Sequence, residues 1–118
     1  MKNIILLLVL IGLVLQYGVN LQVQSIPDIM GSEKILLKKN PWQKTIHGLK
    51  IKGHGTVQGT VAIMLLFYDK NEPYRKIEVS GEFEFEWGND WYADQAVIVY
   101  TAKEGQEGAI TFLYRFLD

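Results

Sequence analysis

The sequence predicts an all-β chain: an antiparallel β-sandwich, immunoglobulin-like or similar, of six to seven strands, preceded by an N-terminal hydrophobic helix. Three observations carry this expectation. Past residue 25 the apolar residues recur at every second position, and turn signals follow one another at about ten-residue intervals. No stretch there keeps a helical period. Before it, Ile4–Leu15 is eleven aliphatic residues plus Gly12 without a charge. The immunoglobulin label rests on strand count alone, because the chain has no cysteine.

Residues 1–25 read as a signal peptide or an uncleaved transmembrane anchor. Met1-Lys2-Asn3 is a minimal positive start, and Ile4–Leu15 has the length of an export h-region. Val23-Gln24-Ser25 offers a cleavage site, although no Ala-x-Ala is present. The competing span, Ile4–Val23, would cross about 30 Å of hydrocarbon at about 1.5 Å per residue, with Tyr17 at the interface. Residues 26–32, with Pro27 and Gly31, read as a linker. Residues 33–118 read as the β-domain.

Within that domain, Glu33–Lys39 is a first strand, broken at Asn40-Pro41. Lys44–Lys52 is a second, with Thr45, His47, Leu49 and Ile51 on one face. Gly53-His54-Gly55 reads as a turn and Thr56–Tyr68 as a third strand, bulged at Gly59. Asp69–Pro73 has the look of a hairpin loop. The clearest alternation is Lys76–Trp87, with Ile77, Val79, Phe83, Phe85 and Trp87 facing the core. Lys76, Glu78, Ser80, Glu82, Glu84 and Glu86 face water, and Gly81 marks a bend. Gly88-Asn89-Asp90 reads as a turn, Asp94–Thr101 as a central strand, Lys103–Gly108 as a turn and Ala109–Leu117 as the closing strand.

Composition excludes several chemistries. With 12 Lys+Arg against 13 Asp+Glu, the chain is no polycationic nucleic-acid binder. Without cysteine it has no disulfide, thiolate zinc site or Cys nucleophile. His47 shares a face with Leu49 and Ile51 and His54 lies between glycines, so no metal site is expected from the two histidines. Ser80 with His54 and Asp90 or Asp94 could form a triad on paper. Yet Ser80 sits on the wet face of a strand with no elbow around it. Asp69-Lys70-Asn71-Glu72 lacks the glycine and terminal bidentate Glu of a calcium loop. No cofactor is expected.

Charge is segregated along the chain. Glu33–His54 carries six Lys and one Glu, or +5, whereas Asp69–Asp118 carries 5 basic and 11 acidic residues, or −6. The glutamate row is expected to pair with Lys44, Lys50 and Lys52 across the sheet or to stay solvated. Lys34, Lys38 and Lys39 would be the membrane-proximal cations if residues 1–25 are retained, each worth on the order of 1 kcal/mol at an anionic surface. The aromatic run Trp87-Gly88-Asn89-Asp90-Trp91-Tyr92 supplies the binding candidates Trp91, Tyr92, Asn89 and Asp90, since a ring beside acceptors suits carbohydrate or protein contacts.

These features together predict a non-enzymatic interaction module. It would be a small membrane-anchored accessory or cell-envelope protein acting through protein contacts, with its domain outside the cytoplasm. The alternative is a secreted glycan- or ligand-binding β-sandwich that uses an aromatic platform. A membrane, a protein partner or a glycan is the expected counterpart, and nucleic acid is not.

Overall fold

The computed structural model describes residues 20–29, 31–67, 72–103 and 105–118. Six strands form one sheet: β1 (Gln22–Ile26), β2 (Ser32–Lys38), β3 (Gly48–Phe67), β4 (Pro73–Asp90), β5 (Gln95–Thr101) and β6 (Gly108–Leu117). All pairings are antiparallel, in the order β1-β6-β3-β5-β2, with β4 on the other side of β3. β6 pairs with β3 over Gly48–Val57 and β5 with β3 over Ala62–Phe67. β5 and β6 therefore lie in tandem along one edge of β3, and β2 and β1 continue that tandem outward.

The sheet is a curled half-barrel, not the two-sheet sandwich expected from the sequence. Arg75 and Asn89 lie 14 residues apart on β4, a separation of roughly 45 Å in a straight strand. Here the Arg75 Nε–H donates to Asn89 Oδ1 at 3.0 Å. The two ends of one strand come within side-chain reach, so the sheet has curled along its strands. The same happens along the outer tandem, where Gln22 Nε2 donates to the Lys38 carbonyl at 2.8 Å.

The bend is encoded at Gly59 and Gly81. β3 carries Gln58 and Gly59 between the pairs Val57↔Gly81 and Thr60↔Ser80, an insertion with no counterpart in β4. Gly59 has φ 71° and Gly81 φ 61°, values that side chains beyond glycine rarely adopt. Residues at odd positions of β3 and β4 and even positions of β5 and β6 then line one concave face. Leu49, Ile51, Val61, Ile63, Leu65, Ile98, Tyr100, Ile110, Phe112 and Phe116 are buried there. Val79 and Phe85 join them, with Ile77, Phe83 and Trp87 half-buried against the core. Glu78, Glu82, Glu84 and Glu86 are exposed on the other face.

Two expected turns are strand instead. Gly53-His54-Gly55 lies within β3, and Gly88-Asn89-Asp90 ends β4. The first pair of glycines serves close approach: a Cβ on Gly53 would stand 2.4 Å from the Phe85 ring, and one on Gly55 2.1 Å from the Ala109 carbonyl oxygen. Conversely, Lys44–His47 is not strand, and His47 is exposed.

No helix occurs among the described residues, so none of them forms one long and apolar enough to cross a membrane. The expected N-terminal helix falls mainly on residues 1–19, outside the described part. A helical span reaching Val23 is overturned directly, because Gln22 and Val23 pair with Tyr114 and Leu113. Ile26 and Ser32, expected in the linker, belong to β1 and β2, and between them Ile29 is buried with its N–H on the Gly108 carbonyl. The hairpin loop at Asp69–Asn71 also lies outside the described residues.

On the convex face, Lys52 Nζ contacts Glu84 Oε1 at 2.9 Å, one of the pairings expected for the glutamate row, whereas Lys44, also expected to face it, lies before β3. This hydrogen bond and the charge of Lys52 hold the Glu84 carboxyl below its ordinary value. Asp118 is lowered likewise, chiefly by the Lys44 backbone N–H on its Oδ2 at 3.0 Å. Both groups favour folding above the unfolded carboxylate pKa, and the contribution disappears as pH falls through the depressed folded values. Glu84→Gln is therefore expected to lower Tm slightly at pH 7 and to match the parent below about pH 3, as thermal melts across that range would show. A deficit persisting in acid would contradict the pairing.

Candidate functional site

Closing the sheet creates a seam, and aromatic residues fill it. Phe67 ends β3, Tyr74 opens β4 and Trp91 follows β4. The Phe67 and Trp91 rings stack at 4.9 Å and 12°, and Tyr74 meets them edge-on at 5.0 and 5.6 Å. The Trp91 Nε1–H donates to the Gln95 carbonyl at 3.0 Å, and its backbone N–H to that of His47 at 3.2 Å. Trp91 is 0% exposed. It is a pillar between strand ends, not a free platform.

Beside this stack lies a pocket of about 350 Å³ lined by Phe67, Tyr74, Asp90, Trp91, Tyr92 and Ala93. Tyr92 is 79% exposed and Tyr74 37% exposed at its rim. Arg75 lies 5.6 Å from the Tyr74 ring centre, a cation–π distance. A second, shallower hollow of about 510 Å³ continues along Tyr92, Ala93, Asp94 and Gln95. The site thus offers a large ring in water, an apolar wall behind it and the exposed carboxylates Asp90 and Asp94.

The four sequence candidates divide. Tyr92 and Asp90 are exposed at the pocket, Trp91 forms its buried wall, and Asn89 is buried. The Asn89 amide is committed to structure, donating to the Leu49 carbonyl at 3.3 Å while accepting from Arg75. Sequence reasoning missed Phe67 and Tyr74. The available signal was their position flanking the hairpin loop, Phe67 two residues before Asp69 and Tyr74 directly after Pro73, where aromatics are normally read as strand ends. It also missed Trp42, 65% exposed with its Nε1–H on Asn20 Oδ1 at 2.8 Å.

The basic candidates do not gather. Lys34 and Lys38 are exposed on the convex face of β2. Lys39 is half-buried, its Nζ donating to the Gln43 carbonyl and its backbone N–H to that of Asp94. His54 faces Glu84 across the β3–β4 ladder, His47 is exposed before β3 begins, and Ser80 is exposed on β4. Among the described residues no group of three or more His, Asp or Glu side chains could hold a metal ion.

Tyr92→Ala is expected to leave stability within about 0.5 kcal/mol, because the ring is almost wholly in water. Urea unfolding of the two proteins would check this.

No family model and no curated protein matches the sequence. The fold is similar to solved structures. The crystal structure of PirA superposes with a TM-score of 0.55 at 12% identity, over 81% of this chain and 94% of that one. A chain from the disulfide-linked pili of Bacillus endospore appendages gives 0.48 at 10% identity, over 84% and 90%. At such identities the likeness to PirA concerns the fold alone.

Proposed function

We propose that this protein is a non-catalytic contact domain working outside the cytoplasm, and that it holds a ring-shaped polar ligand, of the sugar class, at the seam pocket. The observation that carries the reading is Tyr92, 79% exposed beside a largely apolar 350 Å³ pocket with Asp90 at its edge. A pyranose presents an apolar C–H face and a rim of hydroxyl donors. Tyr92 and Tyr74 suit the face, and carboxylates, which only accept hydrogen bonds, suit the rim. The opening Met1-Lys2-Asn3 followed by Ile4–Leu15 supports export of the domain.

A second reading, protein contact at the same place, is favoured by the adjoining hollow at Tyr92–Gln95, which would widen the footprint. Tyrosine is as suited to protein interfaces as to sugars.

Two-dimensional NMR with neutral mono- and oligosaccharides separates these readings. Shifts confined to Tyr74, Asp90, Trp91 and Tyr92, weakened at least tenfold by Tyr92→Ala, are expected. Saturating sugars that leave those resonances unmoved would overturn the sugar assignment.

A further inference from the structure

Two edge strands of the sheet, β4 and β2, carry opposite charge on their exposed faces. β4 pairs only with β3, β2 only with β5 and β1 only with β6, so each is an edge strand, and on β2 the Lys38 carbonyl is taken by Gln22 Nε2. Such edges are templates for strand addition, and charge is the usual means of blocking it. On β4 the exposed convex-face residues include Lys76, Glu78 and Ser80 and, past Gly81, Glu82, Glu84 and Glu86, and on β2 they include Lys34, Leu36 and Lys38. Glu84 is already matched by Lys52. Among the described residues, Lys34, Lys38, Glu82 and Glu86 form no ion pair.

Spacing makes the two edges fit. Lys34 and Lys38 are four residues apart, as are Glu82 and Glu86, so each pair spans roughly 13–14 Å along its strand. Laid side by side in either direction, each Lys meets a Glu, and Leu36 falls opposite Glu84, whose charge is countered. Two β4 edges would face carboxylate rows to each other, and two β2 edges would face ammonium groups. Like charges directly opposite destabilise strand pairing. Between β2 and β4, isologous contacts are disfavoured and the β2-to-β4 contact is attractive, while β1 carries no charge to steer either one.

We infer that the β2 edge of one copy of this chain docks against the β4 edge of a second copy, continuing the sheet between them. The contact is heterologous, because different strands meet, so it propagates from copy to copy into a ring or an open filament. It uses neither Tyr92 nor the seam pocket, and stands independently of the ligand proposed there.

The test is sedimentation in solution: analytical ultracentrifugation of the full chain in a nonionic detergent, at low and high salt. Wild type is expected to associate as concentration rises, and to lose at least tenfold in association constant between about 20 and 500 mM salt. Lys34→Glu/Lys38→Glu and Glu82→Lys/Glu86→Lys should each sediment as monomers with unchanged far-ultraviolet circular dichroism. Mixed in equal amounts, the two variants should associate again, since each then presents the charge the other lacks. Three results would overturn the inference: a wild type monomeric throughout, variants that associate like wild type, or a mixture that stays monomeric. Association through the apolar N-terminal segment would give the second of these.

Discussion

Trp91→Ala should cost about 3–5 kcal/mol, because it deletes a fully buried indole and the wall that stacks on Phe67. The loss is expected toward the upper end of that range. Trp91 joins the end of β4 to the start of β5 and closes the seam, so its removal also frees Tyr74 and leaves the Gln95 carbonyl without the indole donor. Equilibrium urea unfolding should show a lower midpoint with a broadly similar slope. Ligand capture would fall too, through the scaffold. Tyr92→Ala separates the cases, since it removes the exposed ring and leaves the pillar standing. A Trp91→Ala protein as stable as its parent would show that the seam is not closed in this way.

Gly55→Ala carries the second large effect. The added Cβ would stand 2.1 Å from the Ala109 carbonyl oxygen and 3.0 Å from the Ile110 Cα. Both obstacles are backbone, which cannot swing aside as a side chain can. β3 and β6 would have to part where Gly55 pairs with Ile110, two pairs from the Val57↔Gly108 end of their ladder. A loss of about 3 kcal/mol or more is expected, at the upper end of overpacking costs. Gly88→Ala is the control: it makes the same change in the same sheet, where nothing lies within 4 Å. It should be neutral to mildly stabilising. Equal losses at the two positions would contradict the close β3–β6 approach.

Much of the strand pattern was legible. The odd-numbered apolar row of β4 faces the core and its glutamates face water, because a two-residue period admits only two registers. Gly59 and Gly81 were readable as a bulge and a bend. Their consequence was not, since a bend read locally does not say that the ends of a strand will meet. Gly53 and Gly55 misled for a related reason. Glycine signals a turn in isolation, whereas here it admits a Phe85 ring and a neighbouring backbone. At the site, Tyr92 was legible as an aromatic after a charged stretch. Trp91 was readable either as a platform or as a cap on one open end of the β-structure; its burial depends on Phe67 and Tyr74, which the sequence does not place beside it. The pairing of the Glu row with Lys52 was legible from matching alternation alone.

Hydrogen exchange of the tryptophan indole N–H groups tests the aromatic seam most directly. Trp91 donates from a fully buried position to the Gln95 carbonyl, while Trp42 is 65% exposed and donates to Asn20. The Trp91 indole proton is expected to exchange only through global unfolding, orders of magnitude more slowly than that of Trp42. Exchange of Trp91 as fast as Trp42 in the folded protein would mean that β4 does not fold back on itself, and that the pocket beside Tyr92 lacks its wall.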